Sequence, residues 1–154
     1  MAYSPRYTGL ERLTRALTAA VLTQLTNDGP APKGPDLGVL YDAIRKGEAE
    51  IEMYLGPRYL LPLAPNPPAT DLPDAIVEIA TELTVYWLYT RRGKVSESVT
   101  KRYDAAIAKL EKIRKGELLL DLAPVSPTSA VAGSGPVVVI SRTRIFTDDL
   151  LRRL

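Results

Sequence analysis

The sequence predicts an all-α fold: a compact four-helix bundle followed by an extended C-terminal arm that contains a short β-strand. Apolar residues recur every three to four positions in four segments, the period of one helix face. Clusters of proline and glycine separate those segments. Past Leu122 the helical period gives way to a β-branched run, Val137, Val138, Val139 and Ile140. The chain therefore divides into a helical domain over 1–122, a Pro/Ser/Ala-rich spacer over 123–136 and a docking arm over 137–154.

The first helix is expected from Thr8, whose hydroxyl can cap a free N–H, with Glu11 completing a capping box. Leu10, Leu13, Leu17, Val21 and Leu25 supply its apolar face, and NDGPAPKGP after Thr26 ends it. A second helix runs from about Asp36 to Leu55 with Leu37, Leu40, Tyr41, Ile44, Ile51 and Leu55 on one stripe. Gly47 and Glu48 fall where that stripe crosses its middle. A helical glycine costs about 1 kcal/mol relative to alanine, so Gly47 is read as letting another helix come close.

The stretch PRYLLPLAPNPPATDLP is too proline-rich for a helix and should cross one end of the bundle in extended form. The third helix starts near Asp71 to Pro73 and continues to about Arg91. From Ala75 to Tyr89 its only charges are Glu78 and Glu82, so it should be the most buried helix. The fourth is capped near Ser96, buries Val99, Tyr103, Ile107, Leu110 and Ile113, and ends at Gly116. Its last turn holds Lys112, Arg114 and Lys115, which suit the helix dipole. A lone strand in the arm, with no partner strand elsewhere in the chain, asks for another molecule.

Hydrophobic residues make up 45% and charged residues 25% of 154, an ordinary composition for one domain plus an arm. The 13 prolines are the unusual feature. Twenty basic against 18 acidic residues leave a charge of +2, too small to make nucleic acid the main partner. No apolar run approaches the ~18 residues that span a bilayer, and the N-terminus lacks a hydrophobic signal core, so synthesis in the cytoplasm and no membrane partner are expected. The chain has no cysteine and no histidine, which removes thiolate chemistry, the commonest general base and the commonest metal ligand. The expectation is a protein that is not an enzyme and takes no cofactor.

Four groups of residues are candidates for function. In the arm, Val137, Val138, Val139, Ile140, Arg142, Arg144, Ile145, Phe146 and Leu150 can add a strand to another sheet edge, the alternative being a return to their own bundle. Arg58 and Tyr59 could form an inter-subunit contact. The favoured reading is that Arg58 binds helix C-terminal carbonyls while Tyr59 closes the core. Arg91, Arg92, Lys94, Lys101 and Arg102 could touch DNA phosphates, although such a run more often marks a solvated helix boundary. Glu78 and Glu82 could pair as metal ligands or as acid and base, but without histidine that site is incomplete. Tyr86, Trp87 and Tyr89 are read as core or subunit interface.

The stretch AIRKGEAEIEMYLGPRYLLPL, from Ala43 to Leu63, resembles the signature of the phage Mu gp36-like family. In that family an alanine-rich helix ends in an Ile-acidic-x-Tyr-Leu run followed by Arg-Tyr and Pro-Leu. The matching positions are Ile51, Glu52, Tyr54, Leu55, Arg58, Tyr59, Pro62 and Leu63. The likeness continues through WLYTRR, KRYDAAIAKLEKIRKGELLL and the terminal SRTRIFTDDLLRRL, and so covers most of the chain from Asp36 onward. The longer NDGPAPKGP loop, Glu52 in place of a more familiar aspartate and the 123–136 spacer depart from the pattern.

The resemblance implies a bundle of connector type: a head-tail connector, also called an adaptor or head completion protein, in the neck of a tailed phage or prophage virion. Such proteins form a homo-oligomeric ring, commonly a dodecamer, beneath the portal. The implied partners are copies of the chain, the portal protein and a downstream neck or tail protein; non-specific contact with DNA stays open through the basic run alone. The arm is then expected on a neighbour or on the portal. The alternative function is a DNA-binding or packaging accessory protein.

Overall fold

In the computed structural model, which describes residues 3–29 and 33–125, the chain forms five helices: α1 (Leu10–Ala16), α2 (Ala19–Thr26), α3 (Leu37–Leu55), α4 (Asp74–Arg91) and α5 (Glu97–Lys115). The all-α class holds. The four helices expected are five, because the first expected helix is two short ones. Leu17 adopts an extended conformation, and the Thr18 side chain accepts from Val21 N–H to start α2. Threonine satisfies a free donor in this way better than it sits inside a helix. The break also resets the phase: Leu13, Leu17, Leu22 and Leu25 are buried, whereas Val21 is left half-exposed. Thr8 does not cap α1. Its buried hydroxyl pairs with Thr81 Oγ1 at 2.9 Å, and Gly9 occupies the cap position.

The long helices start and stop at residues suited to those positions. Asp36 Oδ1 accepts from Gly38 and Val39 N–H at the head of α3, and Ser96 Oγ accepts from Val99 N–H at the head of α5. Gly116, at φ 85°, closes α5 in the left-handed conformation that favours glycine. Pro73 precedes α4 without a side-chain cap. Helix α4 lies at the centre, in contact with the other four helices, and buries nine residues from Ile76 to Leu88. It runs antiparallel to α3 and α5.

Two clusters fill the interior. The lower one joins Ile51, Leu55, Ile76, Ile79, Leu83, Leu110 and Ile113 with Tyr7, Tyr59, Leu63 and Leu122 from irregular segments. The upper one packs α1 and α2, through Leu13, Leu17, Leu22 and Leu25, on Leu40, Ile44, Val85 and Leu88. Between them α3 and α4 approach at Gly47, where an added Cβ would lie 3.3 Å from both Leu83 Cβ and Thr84 Oγ1. Leu37, expected on the buried stripe, is 44% exposed at the first position of α3.

Residues 58–66 and 120–125 are paired antiparallel by backbone hydrogen bonds, without a regular strand among the described residues. Leu60 N–H donates to Ala123 C=O at 3.0 Å, Ala123 N–H to Ala64 C=O at 3.1 Å and Val125 N–H to Arg58 C=O at 3.0 Å. The proline-rich connection is thus extended, as expected, and finds its backbone partners within the chain. The strand expected at 137–140 lies outside the described residues.

Candidate functional site

The lower end of the molecule is formed by the C-termini of α3 and α5 and by the paired segments 58–66 and 120–125. Tyrosine hydroxyls pin the irregular segments to the bundle. Tyr59 is buried, and its hydroxyl accepts from Leu120 N–H at 3.2 Å. Tyr7 O–H donates to Glu52 at 2.7 Å and its oxygen accepts from Leu63 N–H at 2.9 Å. Burial, and then the bond to Glu52, hold the Tyr7 hydroxyl well above its ordinary pKa. Arg58 extends over the end of α5, with Nη1 3.5 Å from Arg114 C=O and packed where a Cβ at position 116 would stand.

This end also carries apolar side chains that the body does not cover. Leu60, Leu61 and Leu118 are 44–47% exposed, Met53 69% and Leu119 76%. The same end carries cations: Lys112, Arg114 and Lys115 in the last turn of α5, and Arg58, which reaches Arg114 C=O. Val125, bonded to Arg58, is the last described residue, so the C-terminal segment departs from this same end. The arm candidates Val137, Val138, Val139, Ile140, Arg142, Arg144, Ile145, Phe146 and Leu150 lie outside the described residues.

The basic candidates are divided among local partners. Arg91 donates to Leu25 C=O and pairs with Asp28, and Arg92 bonds Gln24 and Asn27 carbonyls and lies 2.9 Å from Asp28. Together they close the C-terminus of α2. The hydrogen bond from Arg91 holds the Asp28 carboxyl below the ordinary carboxylate range. Lys101 pairs with Glu97 at 2.7 Å and Arg102 with Glu82 at 2.6 Å, while Lys94 is exposed in the turn after α4. Glu78 faces Lys109 at 3.6 Å, so both α4 glutamates meet an α5 cation. Among the described residues no three His, Cys, Asp or Glu side chains converge as a metal site would require. Trp87 Nε1–H and Tyr103 O–H both donate to Glu50, and Tyr86 stacks on Tyr103 at 3.9 Å.

Sequence reasoning missed a second polar centre. Glu48 is 1% exposed in the middle of α3. Its Oε1 accepts from Arg6 N–H at 2.6 Å and Tyr7 N–H at 3.1 Å, and its Oε2 accepts from Tyr3 O–H at 2.6 Å and Arg6 Nε–H at 3.2 Å. Residues 3–7 are thereby strapped across α3, and Arg6 completes the strap by reaching Glu52 at 2.8 Å. The signal available in the sequence was an acidic residue at a position in phase with the apolar stripe.

No described helix is long and apolar enough to cross a membrane. No curated protein matches the chain significantly. The family described as Bacteriophage Mu, Gp36 matches residues 7–139, a span that begins at Tyr7 and takes in all five helices, the exposed leucines and Val137 to Val139 of the arm. A match over that much of the chain, on the residues that build its body, makes this protein a member of the bacteriophage Mu Gp36 family.

Proposed function

We propose that the chain is a structural subunit of the head-tail connector of a tailed phage or prophage, forming a ring of copies under the portal. The observation that carries this reading is a compact helical body whose C-terminal segment departs from a fixed root at Val125, beside uncovered leucines, in a chain of a phage family. A ring needs head-to-tail contacts between unlike patches, and an extended arm together with an apolar surface on the helical body supplies two unlike patches. Contacts of modest strength become durable when many are engaged together, since each further one forms at high effective concentration. In this role the arm, residues 137–154, secures the ring to a neighbour or to the portal, and a downstream neck or tail protein stacks on the other side. The packaging-accessory reading needs a basic face free for phosphates, whereas Arg91, Arg92, Lys101 and Arg102 are engaged with carboxylates and carbonyls.

The test is to mix the protein with the portal protein of the same phage or prophage, as the full chain and as a chain ending before Pro136, and to measure the mass and symmetry of the product. A closed ring with the full chain that is lost on truncation supports the reading and gives the arm its anchoring role. A ring that survives truncation moves the contact to the helical body. No association under any assembly condition, with salt-sensitive DNA binding instead, would overturn the connector reading.

A further inference from the structure

The last turn of α5 and the segment after it present an ordered surface pattern. Lys112, Arg114 and Lys115 come first, then Glu117, then Leu118 and Leu119, then Asp121, and all but the partly covered stem of the turn at Gly116 are exposed. Among the described residues none of Lys112, Arg114, Lys115, Glu117 and Asp121 forms a side-chain ion pair, unlike Lys101, Arg102 and Lys109 earlier in the same helix. Leu119 is 76% exposed, more than any other large apolar side chain described. The C-terminal tail has the complementary order. Asp148 and Asp149 are followed by Leu150 and Leu151, and these by Arg152 and Arg153. Basic, apolar, acidic on the body therefore meets acidic, apolar, basic on the tail. A leucine pair flanked by charges of matching sign order gives both a desolvated centre and a fixed direction of docking.

We infer that the end of α5, from Lys112 to Asp121, is the docking surface for residues 147–154 of a second copy of this chain. The inference rests on the ring reading and names one of its contacts. Each chain carries one receptor and one unlike donor, which is the arrangement that generates a head-to-tail ring or chain of copies. The 21 residues from 126 to 146 between root and tail can span up to about 70 Å, well beyond the ~28 Å length of α5. Glu117 lies between the basic and apolar parts of the receptor and is matched by neither tail carboxylate.

Because the chain has no cysteine, a disulfide test carries no background. Two full-length variants, Leu119→Cys and Leu151→Cys, are mixed in the presence of the portal protein, oxidised and separated without reductant. The expected product is a 119–151 linked dimer formed only in the mixture, and a double variant should yield a covalent ladder that stops at the ring number. A Lys94→Cys/Leu151→Cys control, with its cysteine at the opposite end of the bundle, should remain uncrosslinked. Asp148→Lys with Asp149→Lys should lower the 119–151 yield about tenfold, and adding Lys112→Glu with Lys115→Glu should restore it. A portal-bound ring without the 119–151 link overturns this inference and leaves the connector reading standing. A double variant that links only within one chain overturns the choice of a second copy. Absence of any ring, read from mass before oxidation, removes both.

Discussion

Replacing Glu48 with alanine should loosen the N-terminal strap and destabilise the whole body. The carboxylate satisfies four donors from Tyr3, Arg6 and Tyr7. Arg6 keeps Glu52 as a partner at 2.8 Å, so its charge is not stranded. The losses fall on two backbone N–H groups and one phenol, and at about 1 to 1.5 kcal/mol for each donor left without its acceptor they sum to roughly 3 to 4.5 kcal/mol. That range matches the cost of removing one member of a buried pair, about 3 to 5 kcal/mol. Glu48→Gln retains one acceptor oxygen for Arg6 and Tyr7 N–H but turns an amide donor toward Arg6 Nε–H, and should lose roughly half as much. Urea denaturation would give the ranking wild type, Gln, Ala, with a fall in melting temperature of about 10 °C for the alanine variant. Hydrogen exchange should show the Arg6 and Tyr7 amides losing protection before those of α4. An alanine variant within about 0.5 kcal/mol of wild type, with those amides still protected, would refute the reasoning.

Gly47→Val should destabilise by more than about 2 kcal/mol, because its methyl groups enter a space already within 3.3 Å of Leu83 and Thr84, while Gly47→Ala trades a similar but smaller clash against a helix gain of about 1 kcal/mol; thermal melts of both variants check this. At high pH, the hydroxyls of Tyr3, Tyr7 and Tyr103 are held protonated first by burial and then by bonds to Glu48, Glu52 and Glu50 respectively. Their folded pKa values are raised, so the stability they contribute is complete below the unfolded value near 10 and is lost as pH climbs above it. Absorbance titration should therefore show three of the eight tyrosines ionising only as the protein unfolds, and ionisation of all eight together near pH 10 would contradict the structure.

Helices α3 and α5 could be read from their sequence because their signals are local. Asp36, Ser96 and Gly116 act at the chain positions where they stand, and the stripes of Ile44, Ile51 and Leu55 or of Leu110 and Ile113 follow one uninterrupted period. Gly47 was legible for the same reason, since a glycine at mid-helix in phase with the stripe has few uses other than close approach. The break at Leu17 and Thr18 was not, because Leu13, Leu17, Val21 and Leu25 also fit a continuous helix, and only burial chooses Leu22 over Val21. Glu48 was seen but not understood, as its donors lie more than 40 residues away in sequence. The pairing of 58–66 with 120–125 leaves no side-chain period at all, so nothing in the sequence announces it. The exposed leucines of the lower end become visible as a site only once those two segments are known to meet.

The root of the C-terminal segment also defines a load path. A pull applied beyond Val125 first meets the hydrogen bond to Arg58 C=O and then the bonds of Ala123 with Leu60 and Ala64. Behind them stand Tyr59 and Leu122, both buried in the lower cluster with residues of α3, α4 and α5. Tension thus enters the body through its lower cluster and is shared by three helices, without fraying α5 from its free end. The weakest link in that series is the set of backbone bonds between 58–66 and 120–125, so the root should yield before the bundle does and let a strained subunit lengthen while its helices stay folded.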